Sequence, residues 1–225
     1  MRRCGRALPG LVVLVASLLA CGAPASATTT LGSTLEHSYD ATFGGSGQTV
    51  YQEVAPSETL VAPSAGTITK WSVRSGDKGA EYELRVLRPA AGGEFTAAGT
   101  SAAYTVPDAE DKMRGPFAVN LPVKAGDRIA LDVIGGLGAP IANVLAPAAD
   151  ELNYLSDPFA DGATKAPVLE SGLGGSQELL LQAIFSAGPP ANLTLPVISG
   201  EPRVGVLLTT TEGTWENGRF CSFRG

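Results

Sequence analysis

Reaction chemistry near neutral pH draws first on imidazole and thiol, and this chain has almost none of either. Its 225 residues hold one histidine, His37, and three cysteines, Cys4, Cys21 and Cys221. A Ser-His-Asp or Cys-His relay would have to run through His37. No Gly-x-Ser-x-Gly elbow presents a serine to it, and its polar surroundings near residue 37 predict a solvated surface side chain. A zinc site of three or four ligands lacks nitrogen and sulfur donors. No catalytic residue, no cofactor and no metal ligand is therefore assigned.

Other residue sets suggest chemistry and have plainer readings. Ser75-Gly76-Asp77-Lys78 has the Ser-x-x-Lys spacing of penicillin-binding nucleophiles, where the serine opens a helix; here Gly76-Asp77 follows a strand pattern and signals a turn. Asp108, Glu110 and Asp111, and the group Asp150, Glu151, Asp157 and Asp161, offer oxygens that calcium could use. Neither set has the Asp-x-Asp-x-Asp-Gly loop spacing, so both are expected to be solubilising loops. Trp71, Tyr82, Phe95, Tyr104 and Tyr154 could stack sugar rings if they shared an exposed face. Trp71, with Thr69 and Val73 placed in phase on its strand, is expected in the core. Gly135-Gly136-Leu137-Gly138 and Gly172-Leu173-Gly174-Gly175-Ser176 lack the strand-to-helix setting of a nucleotide loop and read as connections.

The elements that would position these residues are short. Gly and Pro, 28 and 16 in number, make up about a fifth of the chain against about 12% in average usage. From Thr28 onward the longest stretch free of both runs from Ser176 to Ala187, which leaves no room for a long helix. Period-2 alternation places Tyr82, Leu84 and Val86 on one face with Glu83 and Arg85 on the other. Phe117, Val119 and Leu121 repeat it, as do Ile129, Leu131 and Val133, with Arg128 and Asp132 opposed, after the turn Lys124-Ala125-Gly126-Asp127. Leu179, Leu181, Ala183 and Phe185 form a further strand with Gln182 reversed. Thr49 to Glu53, Thr59 to Ala62, Thr67 to Arg74, Glu94 to Ala97 and Ile141 to Leu145 bring the expected number to about nine between residues 48 and 187. The pattern predicts an all-β, two-sheet antiparallel sandwich, jelly-roll or Ig-like, with a barrel as the alternative. Helix is confined to Ala148 to Leu155 or Ser33 to Tyr39.

Residues 1–27 read as an export signal. Arg2, Arg3 and Arg6 precede the apolar Leu8 to Ala20, and Ala25-Ser26-Ala27 offers a cut between Ala27 and Thr28. Leu18-Leu19-Ala20-Cys21 offers a rival in which Cys21 is lipidated. The apolar run falls short of the roughly 20 residues of a spanning helix, so no transmembrane segment is expected. Three of the 16 Lys and Arg lie in this leader and none of the 22 acids does, so the remainder carries a formal charge of about −9. Such a balance argues against nucleic-acid partners.

Gly188-Pro189-Pro190-Ala191-Asn192 cannot continue a ladder, because proline lacks the donor. The expected organisation is a sandwich over 28–187, a linker over 188–194 and a different unit over 195–225. Pro196 to Trp215 holds, in order, Ile198, Ser199, Gly200, Val204, Gly205, Leu208, Gly213, Thr214 and Trp215. This stretch resembles the opening of a bacterial immunoglobulin-like repeat. Such repeats continue into a Tyr-x-Trp-x-Arg-Cys strand, where this chain reads Glu216-Asn217-Gly218-Arg219-Phe220-Cys221, so an incomplete repeat is expected. Val61-Ala62-Pro63, Gly66, Ile68 and Trp71, with Ala125-Gly126-Asp127-Arg128-Ile129, also resemble secreted sandwiches that precede such repeats in soil actinobacteria. That resemblance implies a fold and an export route, and carries no activity or site residues.

The expected role is a secreted or cell-surface, non-enzymatic structural or adhesive module, its partner an extracellular protein or polysaccharide and its ligand unassigned. The alternatives are lipid anchoring for location, and a carbohydrate-binding module, then a hydrolase, for function.

Overall fold

The computed structural model describes residues 28–55, 57–144, 151–156, 160–168, 176–189, 191–211 and 213–216. The leader with Ala27 and Cys21, and Asp150, Asp157, Gly172 to Gly175 and Cys221, lie outside these residues.

The chain runs through β1 (Thr28–Gly32), β2 (Ala41–Phe43), β3 (Gln48–Val54), β4 (Gly66–Ser75), β5 (Glu81–Pro89), β6 (Phe95–Thr100), β7 (Tyr104–Thr105), β8 (Lys112–Val123), β9 (Arg128–Gly135) and β10 (Ala139–Asn143). It continues through β11 (Glu151–Ser156), β12 (Thr164–Lys165), β13 (Gln177–Leu179), β14 (Leu181–Ala187), β15 (Ala191–Thr194), β16 (Ile198–Ser199), β17 (Thr209–Thr210) and β18 (Thr214–Glu216). Every strand pairing is antiparallel. One sheet has the order β1-β14-β4-β8, and a larger one runs β11-β3-β9-β5-β6-β12 with β7 on β5. A third, β13-β10-β2, is smaller.

The alternation read from the sequence is the alternation that folds. Tyr82, Leu84 and Val86 pair across β5 and β9 with Val133, Leu131 and Ile129, and all six enter one core. The first sheet meets them with Ile68, Trp71, Leu181 and Phe185, and the third adds Phe43 and Ile141. Each large apolar side chain taken fully out of water contributes about 1.5–3 kcal/mol, which makes this layered interior the dominant stabilising term. The result is an all-β sandwich.

Four expectations are corrected. Thr59 to Ala62 forms no strand; a single bridge joins Val61 to Arg128, and Pro63 offers no donor to extend it. Leu179 to Phe185 is not one strand but two, broken at Leu180, so that β13 belongs to the third sheet and β14 to the first. Ile68, not Thr69, shares the core face with Trp71, because register shifts between Ile68 and Lys70 and between Trp71 and Val73 move the phase of β4. Neither helix forms where the residues are described: Glu151 to Leu155 lies in β11, and Ser33 to Tyr39 is irregular, with Leu35 at φ 61°.

Beyond the sandwich, β15 pairs with β18 and β16 with β17, and among the described residues none of the four pairs with any other strand. Together they make a two-stranded arm over residues 191–216 that departs after Gly188 and Pro189.

Candidate functional site

His37 does not simply dangle in solvent. Its ring is 55% exposed, yet its Nδ1 meets a carboxylate oxygen of Glu178, a side chain only 4% exposed. The other oxygen of Glu178 accepts from the Ser33 hydroxyl, and Ser33 Oγ in turn accepts from the Leu35 amide at 2.7 Å. A hydrolytic relay needs the serine to hand its proton to the imidazole. Here both groups converge on the carboxylate and Ser33 is wholly buried, so the constellation clamps the Ser33 to Tyr39 loop against β13. Nothing in the sequence around Glu178 marks it for burial; the loop that covers it lies more than 140 residues away.

The acidic loop is neutralised by its neighbours. Asp108 accepts from Arg114 at 2.6 Å and lies 3.2 Å from Lys112, Glu110 takes Lys112 at 2.7 Å, and Asp111 receives both Nε and Nη2 of Arg74 at 2.8 and 2.9 Å. The Arg114 hydrogen bond holds the Asp108 carboxyl well below the usual range, and Arg74 lowers that of Asp111. Among the described residues no group of three or more His, Cys, Asp or Glu is arranged to hold a metal. Glu151 and Asp161 separate likewise: Glu151 lies on β11 and Asp161 binds Arg85 and Thr100.

The outer face of the larger sheet, expected to be solvated, is partly sealed. Arg85 and Asp132 have side chains only 6% and 9% exposed and are joined Nε to Oδ2 at 2.8 Å. Thr49 donates to the other oxygen of Asp132 at 2.5 Å, and Asp161 reaches Arg85 at 2.6 Å from a loop beside β6. Glu83, directly across from Asp132, has its carboxyl pushed up by burial first and then by the Asp132 charge. Further along the same face Tyr51, Leu87, Ala97, Ala130 and Leu155 form a second apolar cluster.

The five aromatic residues do not form a platform. Trp71 and Tyr82 are core, Phe95 packs edge-on against Tyr51 at 5.1 Å, and Tyr154 against Phe43 at 6.2 Å. Tyr104 leans on Phe117 at 4.3 Å with the rings inclined by 38°. Ser75 ends β4, fully buried, and its hydroxyl accepts from the Asp77 amide at 3.1 Å, the turn its sequence predicts. A cavity bordered by Gly32, Gln52, Glu58 and Leu60 has about 10 Å³, room for about one water.

No known family, curated protein or solved structure matches this chain. Its surface therefore has to be read on physical grounds alone.

On those grounds the arm stands apart. Leu193, Leu195, Val197, Ile198, Val204 and Leu207 are 55 to 108% exposed. Monomeric surfaces ordinarily scatter such side chains singly. The sequence places Leu193 in the linker and Leu195, Val197, Ile198, Val204 and Leu207 in a separate unit, but it does not show their exposure, because apolar residues ordinarily imply a covering layer. Among the described residues no helix is long and apolar enough to cross a membrane.

Proposed function

We propose that this chain is an exported, non-enzymatic β-sandwich module of structural or adhesive role, and that the arm over residues 191–216 is its contact surface. The observation that carries the reading is the set of exposed aliphatic side chains between Leu193 and Leu208, in a segment whose strands, among the described residues, pair only with one another. The arm contains the stretch Pro196 to Trp215 that resembles the opening of a bacterial immunoglobulin-like repeat. Export is supported by the basic, apolar and small-residue order of residues 1–27.

The chemistry of the rest agrees. Three buried carboxylates among the described residues are engaged in holding loops and strands: Glu178 by Ser33 and His37, Asp132 by Arg85, Asp127 by Arg88 through two hydrogen bonds of 2.9 and 2.7 Å. Aliphatic side chains such as Leu195 and Leu207 suit a protein partner better than a sugar ring, which stacks on aromatic faces.

The test uses the full chain immobilised on beads and presented with cell-envelope preparations and with beads carrying the same chain. Binding to either, lost when Leu195 and Leu207 are changed to Asp, is the expected result. Beads that bind neither end the reading.

A further inference from the structure

The larger sheet curls until its two ends meet. Its order β11-β3-β9-β5-β6-β12 starts and finishes on neighbouring pieces of chain, because Val168, just past β12, donates its amide to the Tyr154 carbonyl of β11 at 2.8 Å. The face turned away from the sandwich core is thereby enclosed, and Tyr51, Leu87, Ala97, Ala130 and Leu155 on it are no more than 1% exposed. The seam is thin. Segment 160–168 holds to β6 through the two residue pairs of β12 and through Gly162 and Ala163 beside Ala97. Two charged side chains add to this: Lys165 Nζ donates to the Ser156 carbonyl at 3.1 Å, and Asp161 takes Arg85 at 2.6 Å, with Thr100 donating to the same oxygen at 2.6 Å.

Asp161 docks where carboxylates crowd one guanidinium. Glu81 and Glu83 precede Arg85 at alternate positions of β5, and Asp132 lies on β9 directly across from Glu83 and already holds Arg85 Nε at 2.8 Å. The other cations of these strands are engaged elsewhere, Arg88 with Asp127 and Arg128 over the Tyr51 ring. We propose that this cluster is a pH-sensitive catch on the seam: with Glu83 protonated, segment 160–168 stays closed beside the enclosed apolar cluster, and with Glu83 ionised the added charge repels Asp161 and the seam opens more often. Like charges set across a sheet from one another destabilise their contact, and Glu83 brings one more to a group that a single arginine must satisfy. Burial first, and then the Asp132 charge, push the Glu83 carboxyl up from its ordinary 4.5, so the closed form favours the proton and loses stability as pH rises from 4.5 through the raised value. The device is local: what it loosens is the seam, while the β5–β9 ladder keeps its register.

Amide exchange in the full mature chain at about pH 4.5 and about pH 7.5, corrected for the intrinsic rate at each pH, tests this. The Gly162 and Val168 amides, bonded to the Ala97 and Tyr154 carbonyls, report on the seam, and the amides of β14 serve as the reference. Seam protection relative to β14 should fall by about two- to fivefold from the lower to the higher pH. Glu83→Gln should keep the seam at its closed level at both values. Asp161→Asn, which loses the ion pair with Arg85 and with it the charge that Glu83 repels, should lower seam protection at both values and remove the fall. Circular dichroism establishes that each variant keeps its β spectrum, and the wild-type comparison needs no variant. Seam protection equal at the two pH values in the wild-type chain, or a fall that persists in either variant, overturns the proposal.

Discussion

Arg85 and Asp132 show what a polar residue on the outer face of a sheet becomes once a loop lies over it. Both charges are almost out of water and are satisfied by each other, by Thr49 and by Asp161. Removing one partner strands the other, so Asp132→Ala should cost about 3–5 kcal/mol in urea unfolding, whereas Arg85→Met with Asp132→Leu should recover most of the loss. Glu83 gives the opposite sign. Its folded carboxyl titrates above its ordinary 4.5, so the folded state prefers it protonated, and stability falls as pH rises through the raised value. Glu83→Gln is expected to melt higher than wild type at pH 7, with the gain gone below pH 4.5, as differential scanning calorimetry would show. Asp108 and Asp111 titrate below their ordinary 3.8 because Arg114 and Arg74 bind the charged form; their contribution is present above 3.8 and is lost as pH falls through the lowered values.

At the scale of elements, the departures from regular alternation decide the shape. The register shifts in β4 bring Ile68 and Trp71, three residues apart, onto one face. The break at Leu180, whose amide donates to the Pro140 carbonyl at 3.0 Å, turns one apolar run into members of two sheets. Gly32 ends β1 with φ 76°, and a Cβ there would stand 2.4 Å from the Leu181 carbonyl oxygen. Gly32→Ala combines a left-handed backbone with that clash and should cost more than the about 1–2 kcal/mol of the backbone term alone, measured as a lowered urea midpoint. These devices are the least legible part of the sequence. A bulge or a corner leaves the residue types unchanged and alters only which neighbour they meet.

For the molecule as a whole, the arm and the sandwich are joined in sequence but, among the described residues, share no sheet. A chain ending at Ala187 should therefore melt within a few degrees of the full mature chain, since a domain of this size shifts by about 2–4 °C per kcal/mol. A larger fall in a thermal scan would mean that residues 191–216 pack on the sandwich. Far-UV circular dichroism of either chain should show a β spectrum.

What the sequence determined by itself is the class of fold and the inner face of most strands. Gly and Pro divide the chain too finely for long helices, and Tyr82-Leu84-Val86 or Ile129-Leu131-Val133 can bury their shared face only as pleated strands. Periodicity is local, so it is visible without coordinates. The tertiary structure alone decided that Glu178 is buried under a loop holding His37, that Arg85 and Asp132 leave solvent together, and that the arm stays uncovered. Each depends on segments far apart in the chain: the reach of a loop, the register of a partner strand, the presence or absence of a third strand. Burial of a charge is a property of what lies across from it, and no spacing within one segment encodes that.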